Sequence, residues 1–134
     1  MMSYTEQMLK NESEKWLTQL SLAQAFVAHV GQPKDVDNLR CHELTRAVRI
    51  CLSMLGYYAD LKDGKYGAVE HSWILLGAGV ILDVYAVARL PQVQLVDCRH
   101  LTKDREQYTP GPERDDVDWE FVHQLVSEMM RGRQ

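Results

Sequence analysis

From Tyr4 to Val30, apolar residues return at helical spacing at Leu9, Trp16, Leu20, Phe26, Val27 and Val30. Gly31 and Pro33 end that pattern, and the polar loop QPKDVDN comes next. The spacing predicts a second helix from about Asn38 or Arg40, with Leu44, Val48, Cys51, Leu52 and Leu55 on its inner face and Gly56 as its C-terminal cap. The period then shortens. YYADLK (57–62), a turn built on Asp63 and Gly64, the two arms of VEHSWILLGAGVILDVY (69–85), and VQLVD (93–97) predict four strands. The turns between them are short, which implies mostly antiparallel pairing. Residues 99–114 are polar, contain Pro-Gly-Pro and read as a loop. The tail DDVDWEFVHQLVSEMMR reads as an amphipathic helix with the stripe Trp119, Val122, Val126 and Met129. Helices (1–56), a small sheet (57–97), then a loop and a C-terminal helix (98–134) make one α+β domain over 1–134.

The 69–85 hairpin is apolar but carries a histidine and a carboxylate. With a three-residue loop of Gly77, Ala78 and Gly79, Leu76 stands opposite Val80. Trp73 then faces Asp83, and His71 faces Tyr85. Side chains alternate along a strand, so His71, Trp73, Asp83 and Tyr85 share one sheet face. His71 and Asp83 become diagonal neighbours, within reach of a hydrogen bond. A single histidine in a half-buried strand is more often structural than catalytic, so the hairpin needs a third group before it implies chemistry.

That group is Cys41, near the predicted start of the second helix. A thiol there feels the positive end of the helix dipole and unpaired backbone N–H groups, which favour thiolate. A nucleophile needs a base, and the base needs an orienting group. His71 and Asp83 fill those roles if the sheet packs its histidine face against the start of the helix.

Cysteine at a helix start, then histidine and aspartate on adjacent antiparallel strands, resembles the transglutaminase-like branch of the papain-like cysteine hydrolases. The resemblance runs over about residues 38–86, through LRCHEL, LSMLGYYA, the Asp-Gly pair, EHSWI and ILDVY. It implies a papain-like core with Cys41 as nucleophile, His71 as general base and acid, and Asp83 as orienting carboxylate. Arg40 and His42 flank the cysteine where that family often has small or aromatic residues. The leader peptidases of lasso-peptide biosynthesis are similar in size and in the Cys…His-x-Trp order, although ILDVY and the residues after it do not match them.

Composition narrows the setting. The 134 residues are 46% hydrophobic, enough for a core, and the net charge of -4 is spread without a basic stripe, which argues against nucleic acid as a partner. No apolar run reaches membrane-spanning length, and the N-terminus lacks the pattern of a signal peptide, so no membrane partner and a cytoplasmic setting are expected. Cys41, Cys51 and Cys98 form no CxxC pair, which fits free thiols rather than disulfides or a zinc ribbon.

Other polar residues have ordinary readings. Asn38 and Gln32 are candidate side-chain donors to an oxyanion beside the Cys41 N–H, with a helix cap the favoured role for Asn38. Trp73 reads as core or as a shield of the pair, and Tyr85 as structural or as a hydrogen-bonding group near the site. Cys51 faces away from Cys41 and is a core residue. Cys98 and His100 could share a face and bind a metal or form a dyad, a third and weaker reading because two ligands are few for a metal site. His42 points away from its neighbour Cys41, and His29 and His123 lie on helix surfaces. The expectation is a small thiol hydrolase or acyltransferase acting on a peptide or protein amide, without cofactor or metal. Peptidase, deamidase and transglutaminase chemistry share the acyl-enzyme and stay unseparated. A non-catalytic interaction domain on the same fold is the alternative.

Overall fold

The computed structural model describes residues 3–31, 40–77, 79–85, 93–99 and 106–133. The expected Gln32, Asn38 and His100 roles lie outside the described residues. The elements are α1 (Tyr4–Val30), α2 (Arg40–Met54), β1 (Asp60–Tyr66), β2 (Val69–Gly77), β3 (Val80–Asp83), β4 (Gln94–Asp97), β5 (Tyr108–Pro110) and α3 (Trp119–Arg131). The sheet is antiparallel, in the order β4-β3-β2-β1-β5. The chain is therefore α+β, with five strands among the described residues where the sequence pattern predicts four.

Two boundaries differ from expectation. Asp63 and Gly64 do not form a turn. They lie inside β1, opposite Ser72 and His71, and the turn falls at Gly67 and Ala68, between Tyr66 and Val69. Gly67, with φ 61°, supplies the left-handed conformation that this two-residue turn needs. Gly64 serves another purpose: a Cβ there would lie 2.1 Å from the Thr109 carbonyl oxygen. Only glycine lets β5 approach β1 so closely. The second difference is β5 itself, which occupies part of the stretch expected to be a loop.

The hairpin register agrees with the expectation in its interior, at Ile74↔Leu82 and Leu75↔Ile81. Near the turn it shifts. Gly77, not Leu76, pairs with Val80, because Leu76 sits at a bulge.

The sheet has two buried faces. Ile74 and Leu82 join Leu44, Val48, Cys51, Phe26, Val122 and Met129 in the main core against the helices. Trp73, Ile81 and Val96 form a smaller cluster on the other face with Tyr108 and Cys98 packed against it. In α3 the buried residues are Val122, Leu125 and Met129. Trp119 is half exposed instead, and its ring lies under the Arg46 guanidinium at 5.8 Å. Asp118 caps α3 by accepting from the Phe121 N–H at 3.0 Å. Among the described residues, no helix is long and apolar enough to cross a membrane.

Candidate active site

Strand alternation puts His71 and Asp83 on the same face as Trp73, and the bulge leaves that alignment intact below it. His71 Nε2 and Asp83 Oδ2 are 2.8 Å apart, and both side chains are fully buried. With the carboxylate accepting, Nε2 carries a proton, and in the neutral imidazole Nδ1 then has the lone pair. His71 Nδ1 is buried and has no hydrogen-bond partner among the described residues. The carboxylate is held from two more sides. The Tyr85 backbone N–H donates to Oδ1 at 3.0 Å, and the Tyr108 hydroxyl donates to Oδ2 at 2.6 Å. Trp73 stacks on the histidine, with ring centres 6.3 Å apart and planes at 29°, and is only 2% exposed.

The expected packing of the histidine face against α2 is not what occurs. The body of α2 covers the opposite face, through Leu44, Val48 and Cys51. Only its first turn reaches the site. β3 ends at Asp83, so beyond Leu82 it no longer covers β2, and the backbone of Ser72 meets α2 there. The Thr45 hydroxyl donates to the Cys41 carbonyl at 2.6 Å and lies 3.5 Å from the Ser72 carbonyl. The Ser72 N–H, part of the His71–Ser72 peptide, points at the Cys41 thiol and favours its ionised form. Asp83 is also close enough to act on that thiol electrostatically. The start of α2 thus places Cys41 within electrostatic reach of Asp83, the carboxylate that holds His71.

The thiol is not in the state that the helix dipole alone suggests. Cys41 is only 3% exposed. Burial, then the negative charges of Asp83 and Glu43, push it up to about 12, against the opposing pull of Arg114 and the Ser72 N–H. It therefore rests as a thiol at neutral pH. Cys51 is fully buried, and burial alone raises it to about 11, as expected for a core cysteine.

A second buried network lies on the helix-facing side, and the sequence pattern gives no sign of it. The Ser72 hydroxyl donates to Asp63 Oδ1 at 2.5 Å and lies 2.5 Å from His42 Nδ1. Asp63 Oδ2 takes the Arg46 guanidinium at 2.6 Å and the Arg114 backbone N–H at 3.1 Å. Burial would raise the Asp63 carboxyl, but hydrogen bonds from Arg46, Ser72 and Arg114 outweigh it and hold it below the usual range. An ionised Asp63 fixes the direction of the chain: Ser72 donates to Asp63, and His42 Nδ1–H donates to Ser72. His42 is driven down to about 4, first by burial and then by Arg114, with Asp63 opposing and Arg46 and His71 adding to the fall. It is neutral at pH 7, and its buried Nε2 has no hydrogen-bond partner among the described residues.

The residues that the sequence does not single out are Tyr108, Asp63, Ser72 and Arg46. Asp63 reads as a turn former in the sequence, and Tyr108 falls in an expected loop. A cleft of about 260 Å³ adjoins the site on the histidine face, with Lys62, Trp73, Leu75, Ile81 and Tyr108 in its walls. Among the described residues, no group of three or more His, Cys, Asp or Glu side chains is placed to hold a metal ion. Comparison with protein-family models, with curated proteins and with solved structures finds no match.

Proposed function

We propose that the protein is a small cysteine hydrolase or acyltransferase with a papain-like, transglutaminase-like arrangement of Cys41, His71 and Asp83. The observation that carries this reading is the state of His71: its Nε2 is held by Asp83, its buried Nδ1 has no partner among the described residues, and the thiol lies near the same peptide. A buried acceptor left without a partner costs free energy unless the site uses it.

In this mechanism the proton on Cys41 Sγ passes to His71 Nδ1 as sulfur attacks the acyl carbon of a peptide or side-chain amide. The carbon–sulfur bond forms, and the carbonyl becomes an oxyanion. Collapse of that intermediate breaks the carbon–nitrogen bond, and the proton on His71 leaves with the amine. Water then adds to the thioester, gives a proton to His71 and displaces the thiol, which recovers that proton. An amine in place of water makes the same step an acyl transfer. Asp83 keeps the Nε2–H tautomer and stabilises the transient imidazolium. A thiol raised to about 12 fits proton transfer coupled to attack rather than a resting ion pair.

The same burial favours a second reading, a non-catalytic interaction domain with an occluded site. Iodoacetamide labelling of each cysteine, with mass spectrometry across pH, separates the two. The catalytic reading expects Cys41 to label faster than Cys51 near neutral pH, with at least about a tenfold loss in His71→Ala, the scale of general-base assistance. Equal labelling in wild type and His71→Ala would overturn it and leave the interaction domain.

A further inference from the structure

We propose that Tyr108 is a positioning residue for the His71–Asp83 pair, and that seating β5 against β1 completes the site. The inference rests on the thiol-hydrolase reading above. Asp83 Oδ2 receives two donors, His71 Nε2–H at 2.8 Å and the Tyr108 hydroxyl at 2.6 Å, while Oδ1 takes the Tyr85 N–H at 3.0 Å. Three donors from three directions fix the plane of the carboxylate, and with it the plane of the imidazole. The hydroxyl also withdraws charge from the very oxygen that faces His71. It therefore sets how strongly Asp83 supports a proton on the imidazole.

The rest of β5 is built to hold that hydroxyl in place. The Tyr108 ring packs edge-on against Tyr66 and Trp73, with centres 5.0 and 5.1 Å away. β5 pairs with β1 over three residues, and the stitch continues at both ends. The Gly67 N–H donates to the Gln107 carbonyl, and the Gly111 N–H to the Asp63 carbonyl, each at 2.8 Å. Gly64 permits the close approach. The groups that face His71 are Asp83 from β3, Tyr66 from β1, Trp73 from β2 and Tyr108 from β5, and His42 on the other sheet face feels its charge.

The test is an NMR titration of the ¹⁵N-labelled imidazoles in the full chain, wild type against Tyr108→Phe. The phenylalanine keeps the ring and removes only the hydroxyl. The His71 midpoint should rise by on the order of one pH unit, because Asp83 loses a competing donor. A role in packing alone leaves the midpoint where it was, and an unchanged or lowered midpoint would overturn the proposal. A second variant guards against a folding defect: 3-fluorotyrosine at position 108 has a more acidic hydroxyl, donates more strongly and should move the midpoint down. No shift, or a rise, would count against the proposal. Labelling of Cys41 in His71→Ala is a separate readout. Its failure would remove the catalytic reading while leaving the Tyr108 result to stand by itself.

Discussion

At the scale of single residues, the molecule holds two histidines in opposite circumstances. His71 is tied to a carboxylate, whereas His42 is tied to a serine whose hydroxyl already donates its hydrogen bond to Asp63. The second arrangement makes stability depend on pH in a defined window. Burial and the nearby arginines depress His42 from 6.5 to about 4, so between those values the unfolded chain binds a proton that the native state refuses. Its contribution is complete above about pH 6.5 and is lost as pH falls toward 4, a change on the order of 3 kcal/mol. Urea unfolding at a series of pH values should show this slope. His42→Asn keeps a donor to Ser72 but cannot titrate, so it should flatten the curve in that window. An identical slope in the variant would show that His42 is not the cause. Asp63 acts in the next window down. Its folded carboxyl lies below the usual 3.8, so its contribution is present above that value and is lost as pH falls below it. Asp63→Asn leaves the buried Arg46 guanidinium without its counter-charge at neutral pH, at an expected cost of about 3–5 kcal/mol in the same unfolding experiment.

At the scale of elements, β5 is the shortest of the described strands and the one with the sharpest steric requirement. Gly64→Ala would put a methyl 2.1 Å from the Thr109 carbonyl and 2.9 Å from the Gly111 nitrogen, both backbone atoms that cannot rotate away. β5 should lift from β1. Thermal or urea unfolding should show a loss of about 1–3 kcal/mol, and hydrogen exchange should show the Gly67 and Gly111 amides losing protection while the β1–β2 and β2–β3 ladders keep theirs. Retained protection at those two amides would mean that the strand tolerates the methyl. This strand also marks the limit of what the sequence reveals. The β2–β3 register is legible because alternation over many residues leaves one register that buries the apolar set, and it carries the His71–Asp83 contact with it. Three residues, Tyr108–Pro110, are too few for any period to show. Asp63-Gly64 is ambiguous for a different reason: a tight turn and a close backbone approach both ask for glycine, and only the tertiary packing separates them. Cys41 is legible as a helix-start thiol, but its protonation state is not, because the dipole is local whereas burial and the Asp83 and Glu43 charges come from the folded whole.

At the scale of the whole molecule, the long first helix is unevenly used. α1 has 27 residues, about 40 Å at 1.5 Å per residue. Its apolar stripe suggests burial along the full length. In the structure the described side chains from Tyr4 to Lys15 are exposed, Tyr4 and Met8 among them, and the first buried one is Gln19. Ala23, Phe26 and Val27 then enter the main core. The outer half is supported mainly by local contacts. Ser3 accepts from the Glu6 N–H at 3.1 Å, Gln7 donates to Asn11 at 3.1 Å, and Lys10 and Glu14 lie 3.9 Å apart. Such contacts contribute a few tenths of a kcal/mol each, and an isolated helix of this length is marginal in water. A chain that begins at Glu14 should therefore keep its melting temperature within about 4 °C, the scale of a 1 kcal/mol change in a domain of this size. It should lose helical signal in circular dichroism in proportion to the residues removed, and Cys41 should label at the wild-type rate. A fall of more than about 10 °C would contradict the assignment of stability to the inner half.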